Sequence, residues 1–157
     1  MKSAYLFLIF LLISNAAVAF EIPKDFEGTN TFGAKSDFWI HPKTLETIGL
    51  ADEDVSSLEP SKDDYAEIRE VMNAKATALP AILNIKDYKI SSSKEIKSKN
   101  GKVILFFGSY TDSSDDHTTF AEVYLIPNSG KPSAYLLTRP KTEWTETEVI
   151  KRFKAEL

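Results

Sequence analysis

The chain contains no cysteine, and that single absence removes several chemistries at once. No disulfide can staple the fold, no thiolate can act as nucleophile or hold zinc, and no lipid can be attached at a lipobox-type cysteine. Glycine is scarce, with six in 157 residues, and none stands in the G-x-x-x-x-G-K spacing that cradles phosphate. Histidine is limited to His41 and His117, widely separated and without the H-E-x-x-H spacing of a zinc site. No asparagine is followed two positions later by serine or threonine: Asn30, Asn73, Asn84, Asn100 and Asn128 all fail that test. Lack of acceptor sites tilts the origin toward a bacterial periplasmic or secreted product.

What is present begins with an apolar leader. Lys2 gives a short positive start, "AYLFLIFLLIS" an apolar run, and "AVA" ending at Ala19 the small residues a signal protease requires. This is the pattern of an export signal over residues 1–19. A bilayer span needs roughly 20 apolar residues, and Ser14 with Asn15 interrupts the run first, so no membrane span is expected after cleavage. The remainder, residues 20–157, has the size of a single folded unit that can bury a core without disulfide or metal. The net charge of −4 becomes one more negative once Lys2 leaves, which argues against nucleic acid as a partner. Lys86, Lys89, Lys94, Lys97, Lys99 and Lys102 form a local exception. Such a cluster can meet anionic lipid, nucleic acid or an acidic protein, but Lys97, Lys99 and Lys102 surround a hairpin tip, where charge also blocks unwanted edge pairing.

Residues 20–60 are aromatic but broken. Phe20, Phe26, Phe32, Phe38 and Trp39 are separated by glycine, proline and polar residues, and neither the helical nor the strand period persists. An irregular arm is expected, with a short strand near "DFWIH", a helical turn in "KTLETIGL" and an acidic connection through residues 51–64. Ser61 can cap a helix whose first turn carries Asp63 and Asp64. Tyr65, Ile68, Met72, Ala76, Leu79 and Leu83 then make one apolar stripe, leaving Glu67, Arg69, Glu70, Asn73 and Lys75 to face water. Pro80 should end or kink this helix.

A hairpin follows. Asn100-Gly101 lies between "YKISSSKEIKSK" and "KVILFFGSY" and suits a two-residue type I′ turn. That register sets Lys97 against Ile104, Glu95 against Phe106 and Ser93 against Gly108, with Ile96 against Leu105 and Lys94 against Phe107 on the other face. The second strand is apolar on both sides and belongs in the middle of a sheet, whereas the first is apolar on one side, through Ile90 and Ile96. "TTFAEVYLIP" and "PSAYLLTRP" supply two more strands. A last helix is announced by Thr145 and Glu148 as a capping box, with Trp144 and Val149 as a hydrophobic staple.

The expected fold is therefore α+β. It has a helix, a four-stranded antiparallel meander and a C-terminal helix over residues 61–157, preceded by the irregular arm.

The stretch "SYTDSSDDHTTF", residues 109–120, concentrates the polar chemistry. Asp112, Asp115, Asp116 and His117 invite a cation reading, but the alternation, sixth-position glycine and closing glutamate of a calcium loop are missing. Ser113, Ser114, His117 and Asp112 resemble a catalytic relay only in composition, since such triads assemble from distant segments around a rigid nucleophile turn. A solvated strand connection is the simpler account, so no catalytic residue, metal or cofactor is assigned. Glu122, inside a strand, is expected on an exposed sheet face. Ile104, Phe106 and Tyr110 share a face that the neighbouring strand meets with polar side chains only, so the arm, a helix or a partner must cover it.

The leading expectation is an exported, non-catalytic binding protein acting on a protein partner in the cell envelope or outside the cell, such as an inhibitor or immunity-type protein against an envelope toxin or hydrolase. Tyr110, Asp112, Asp115, Asp116 and His117 would meet the partner. The alternatives are a small-molecule binder or hydrolase with a pocket between sheet and helix lined by Phe107, Tyr124, Tyr135 and Trp144, and a structural or surface component.

Overall fold

The computed structural model describes residues 22–28, 38–51 and 64–152. The expected export signal, the expected acidic connection after Ala51 and the Ser61 expected to cap a helix lie outside the described residues. The protein is α+β. Seven strands form one sheet: β1 (Glu27–Gly28), β2 (Phe38–Ile40), β3 (Thr47–Leu50), β4 (Lys86–Ser98), β5 (Gly101–Thr111), β6 (His117–Pro127) and β7 (Ser133–Pro140). Their order is β1-β2-β3-β7-β6-β5-β4, and every pairing is antiparallel. Helix α1 (Asp64–Leu83) connects β3 to β4, and α2 (Glu146–Ile150) follows β7. No helix among the described residues is long and apolar enough to cross a membrane.

The four-stranded meander β4 to β7 is present, but the sheet does not stop there. The short strand expected near "DFWIH" is present as β2; β1 and β3 pair with it, β3 joins them to β7, and "TIGL" is strand rather than helical turn, pairing Thr47 with Thr138 and Ile48 with Leu137. Strands of two to four residues are too short to show a period. They are fixed by main-chain bonds to an existing edge and by the burial of Ile48. His41 shapes the turn between β2 and β3: its Nδ1 accepts from the amides of Lys43 and Thr44 at 3.3 and 3.1 Å, and its Nε2 meets Asp25 at 3.1 Å.

β5 is interior, flanked by β4 and β6, with Val103, Ile104, Leu105 and Phe106 buried. The hairpin register differs from the expected one by two residues. Lys99 and Asn100 form the turn, so Ser98 opposes Gly101, Ile96 opposes Val103 and Glu95 opposes Ile104. Gly101 has φ of 151°, and a Cβ there would collide with the Ile126 carbonyl. A two-residue slip leaves each side chain on its expected face, because strand faces alternate with period two.

A bulge does change faces. The β4–β5 register shifts between Ile90 and Ser92 and again between Lys86 and Lys89, and an extra residue inverts the alternation beyond it. Ile96 consequently packs on one side of the sheet and Ile90 with Tyr88 on the other. The expectation that Ile90 and Ile96 share a face fails for this reason.

On the face bearing Ile104, Phe106 and Tyr110, α1 packs over Ile104 and Phe106 through Ile68, Met72 and Tyr65, while Tyr110 packs with Tyr88 and Phe120. Tyr65 stacks on Phe106 with centroids 6.3 Å apart. The opposite face, with Val103, Leu105, Val123 and Leu137, is covered by Ile22 and Phe26 of the arm, by Trp144 and by Val149 of α2. Two departures from the expected stripe occur in α1: Leu83, placed in the stripe, is exposed, and Lys75 turns toward the sheet instead of water. Pro80 lies inside the helix, which runs on to Leu83. The capping box of α2 forms in both directions, Thr145 Oγ1 accepting from the Glu148 amide and Glu148 accepting from the Thr145 amide.

Candidate functional site

The acidic stretch is the loop of the β5–β6 hairpin, and its first aspartate organises it. Asp112 Oδ1 accepts from the amides of Ser114 and Asp116 at 2.8 and 3.1 Å, and the Asp112 amide donates to the Asp116 carbonyl at 3.0 Å. A short side chain satisfying amides of its own turn is the usual use of aspartate in loops. Asp112 is thereby committed to the backbone. Asp115, at φ of 63°, and Asp116 point to solvent, and Lys86 reaches Asp115 at 3.1 Å. His117 is exposed and opens β6 opposite Thr111, so Ser113, Ser114 and His117 form no relay with the committed carboxylate. No group of three histidine, aspartate or glutamate side chains among the described residues could hold a metal.

Tyr110 lies at the base of this loop among Tyr88 and Phe120, with ring centroids 6.3 Å from each. Burial pushes its phenol above the usual range, the Asp112 charge adds to the shift, and the bond to Thr118 opposes it. Tyr110 also forms one wall of an open groove of about 570 Å³ whose other walls are Phe38, Leu50, Leu136 and the Thr47–Thr138 pair. Hairpin and groove are therefore continuous through Tyr110.

The four residues proposed to line one pocket divide between the faces. Phe107 and Trp144 share a cleft of about 380 Å³ between β4, β5 and the start of α2. Tyr135 packs on that same side of the sheet, whereas Tyr124 is fully buried against α1. The cleft is polar: Lys89, Ser92 and Lys94 come from β4, Ser109 from β5, Glu143 and Glu146 from the opposite wall. Lys94 closes one end by donating to both carboxylate oxygens of Glu146 at 2.7 Å.

Two charge clusters, one buried and one part-buried, complete the polar inventory, and sequence reasoning placed neither. Glu122, expected on an exposed face, is 2% exposed. Lys75 donates to its Oε1, as does the Tyr124 hydroxyl at 2.7 Å, and that hydroxyl is 3.2 Å from the Met72 sulfur. The signal was available, since Lys75 stands three residues beyond Met72 and seven beyond Ile68, a spacing that belongs to the buried stripe. On the other face Arg139 forks onto Glu148 at 3.0 and 3.1 Å, donates to the carbonyls of Thr142 and Glu143, and lies 4.3 Å from the Trp144 ring centroid. The Arg139 hydrogen bond is the main cause that holds the Glu148 carboxyl down at about 2. Glu46 bridges Arg139 and Arg152 at 3.7 and 3.6 Å. Apart from the buried Nε of Arg152, which has no hydrogen-bond partner, the charged groups of both clusters pair with one another or with main-chain carbonyls and serve to attach α1 and α2 to the sheet.

No protein-family model matches this chain, and no curated protein is similar to it in sequence.

Proposed function

We propose that this chain is an exported, non-catalytic binding protein whose β5–β6 hairpin engages a basic surface of a protein partner in the cell envelope or outside the cell, in the manner of an inhibitor or immunity-type protein. One observation carries the reading: Asp112 ties down the loop backbone from within, so Asp115 and Asp116 are presented on a fixed turn at the end of two long, regular strands. Fixing a loop before contact lowers the ordering cost of association, and outward acidic groups steer an oppositely charged partner. The groove beginning at Tyr110 gives the same surface an apolar component. Export is supported by the leader sequence over residues 1–19.

The test is capture of a partner from envelope extract by the purified protein, repeated with Asp115→Asn plus Asp116→Asn. Asparagine is chosen because it tolerates the positive φ of residue 115, which leaves the loop folded while removing charge. Retention that weakens at least tenfold in the double variant, and weakens in high salt, supports the reading. No partner at micromolar concentration, or retention indifferent to the double substitution, overturns it.

A further inference from the structure

The cleft on the α2 side of the sheet has a build that the hairpin does not explain. The bulge at Ser91 lets Lys89 and Ser92, an odd and an even position, line the same side of β4. Across from them Glu143 and Glu146 stand on the segment around Trp144. Lys89 and Lys94 balance Glu143 and Glu146, so the rim is neutral overall. Its floor is the half-buried ring of Phe107 with Ser109 beside it. Trp144 lines the cleft while its indole N–H is buried without a hydrogen-bond partner, and Lys94 and Glu146 hold the end wall in place.

From this geometry we infer that the cleft is a binding site for a short neutral saccharide. An anion would meet Glu143 and Glu146, and a purely apolar ligand would strand the ammonium and hydroxyl groups of the rim. A sugar offers what each element lacks: hydroxyls that both donate and accept toward Lys89, Ser92 and Glu143, and a C–H face for the Phe107 ring. A volume of about 380 Å³ sits at the small end of the range for ligand pockets, about 300–1,000 Å³, which limits the occupant to one or two rings. The site lies on the face opposite α1 and uses none of the hairpin aspartates, so it stands or falls separately from the partner reading.

The experiment is a titration of the isotopically labelled protein with cellobiose and with N,N′-diacetylchitobiose, followed by backbone resonances, with inorganic phosphate as the competing chemistry. Saturable shifts confined to Lys89, Ser92, Phe107, Ser109 and Glu143, with Kd of about 1 mM or tighter, are expected from at least one disaccharide. Phe107→Ala should weaken binding about tenfold or more. Glu143→Gln, an exposed change that leaves the core untouched, should weaken it severalfold even if Phe107→Ala fails to fold. Absence of saturation with both sugars overturns the inference, as does phosphate shifting these resonances where the sugars do not, or affinity unchanged in Glu143→Gln.

Discussion

The two faces of the sheet are covered by opposite strategies. On one, α1 is 20 residues long, yet Ile68 and Met72 are its fully buried side chains among those described, and Ile82 and Leu83 at its end are 72% and 57% exposed. On the other, the five-residue α2 buries Val149, aided by Trp144 before it and by Phe26 from the arm. The difference teaches that the length of a covering element does not set its hold on the sheet. Each fully buried aliphatic or thioether side chain contributes about 1.5–3 kcal/mol, so α1 relies on few anchors, and Lys75 on Glu122 is one of them. The α2 face spreads its hold over an arginine that stacks, forks and bonds to carbonyls at once.

That contrast can be broken most severely at Lys75. Lys75→Met leaves the Glu122 carboxylate buried without its ammonium, and stranding one partner of a buried pair costs about 3–5 kcal/mol. The urea midpoint should fall with unchanged slope, and adding Glu122→Gln to the same protein should recover most of the loss. A drop below about 1 kcal/mol would show that α1 does not depend on the pair.

Arg139→Met should cost less, about 2–3 kcal/mol from its charged hydrogen bonds and the Trp144 stack. The abandoned Glu148 is 44% exposed and can be rehydrated. Tryptophan fluorescence should change with this variant and not with Lys75→Met, since Trp144 is on the face away from α1.

The smallest effect is a pH dependence. The Glu148 carboxyl lies at about 2 in the folded protein against 4.5 ordinarily, chiefly through its bond to Arg139. A depressed carboxylate stabilises fully above 4.5 and loses that contribution as pH falls from 4.5 through 2. Solvent screening keeps the contribution modest. Urea midpoints measured across that window should decline more gently in Glu148→Gln than in the parent, and identical slopes would break the link to Arg139.

Much of the fold was legible where neighbouring residues carry the information. The stripe from Tyr65 to Met72, the Thr145–Glu148 box and the doubly apolar run from Val103 to Phe106 all appear where their spacing puts them. The candidate site was legible only in part. The hairpin could be read from its aspartates, but Lys75 and Arg139 were missed because their partners come from other elements. A lysine near a helical stripe reads as solvated until a strand places a carboxylate beneath it.

The sequence by itself determined that the chain is α+β, that β5 is interior and where α2 begins, because periodicity and capping act within a few residues of backbone. Tertiary structure alone decided that fragments of the arm extend the sheet to seven strands, that the Ser91 bulge sends Ile90 and Ile96 to opposite faces, and that Glu122 is buried. These outcomes depend on which edges and charges meet across the fold, as for Lys75 and Glu122, 47 positions apart. Burial of an ionised group is tolerated only once its partner has arrived.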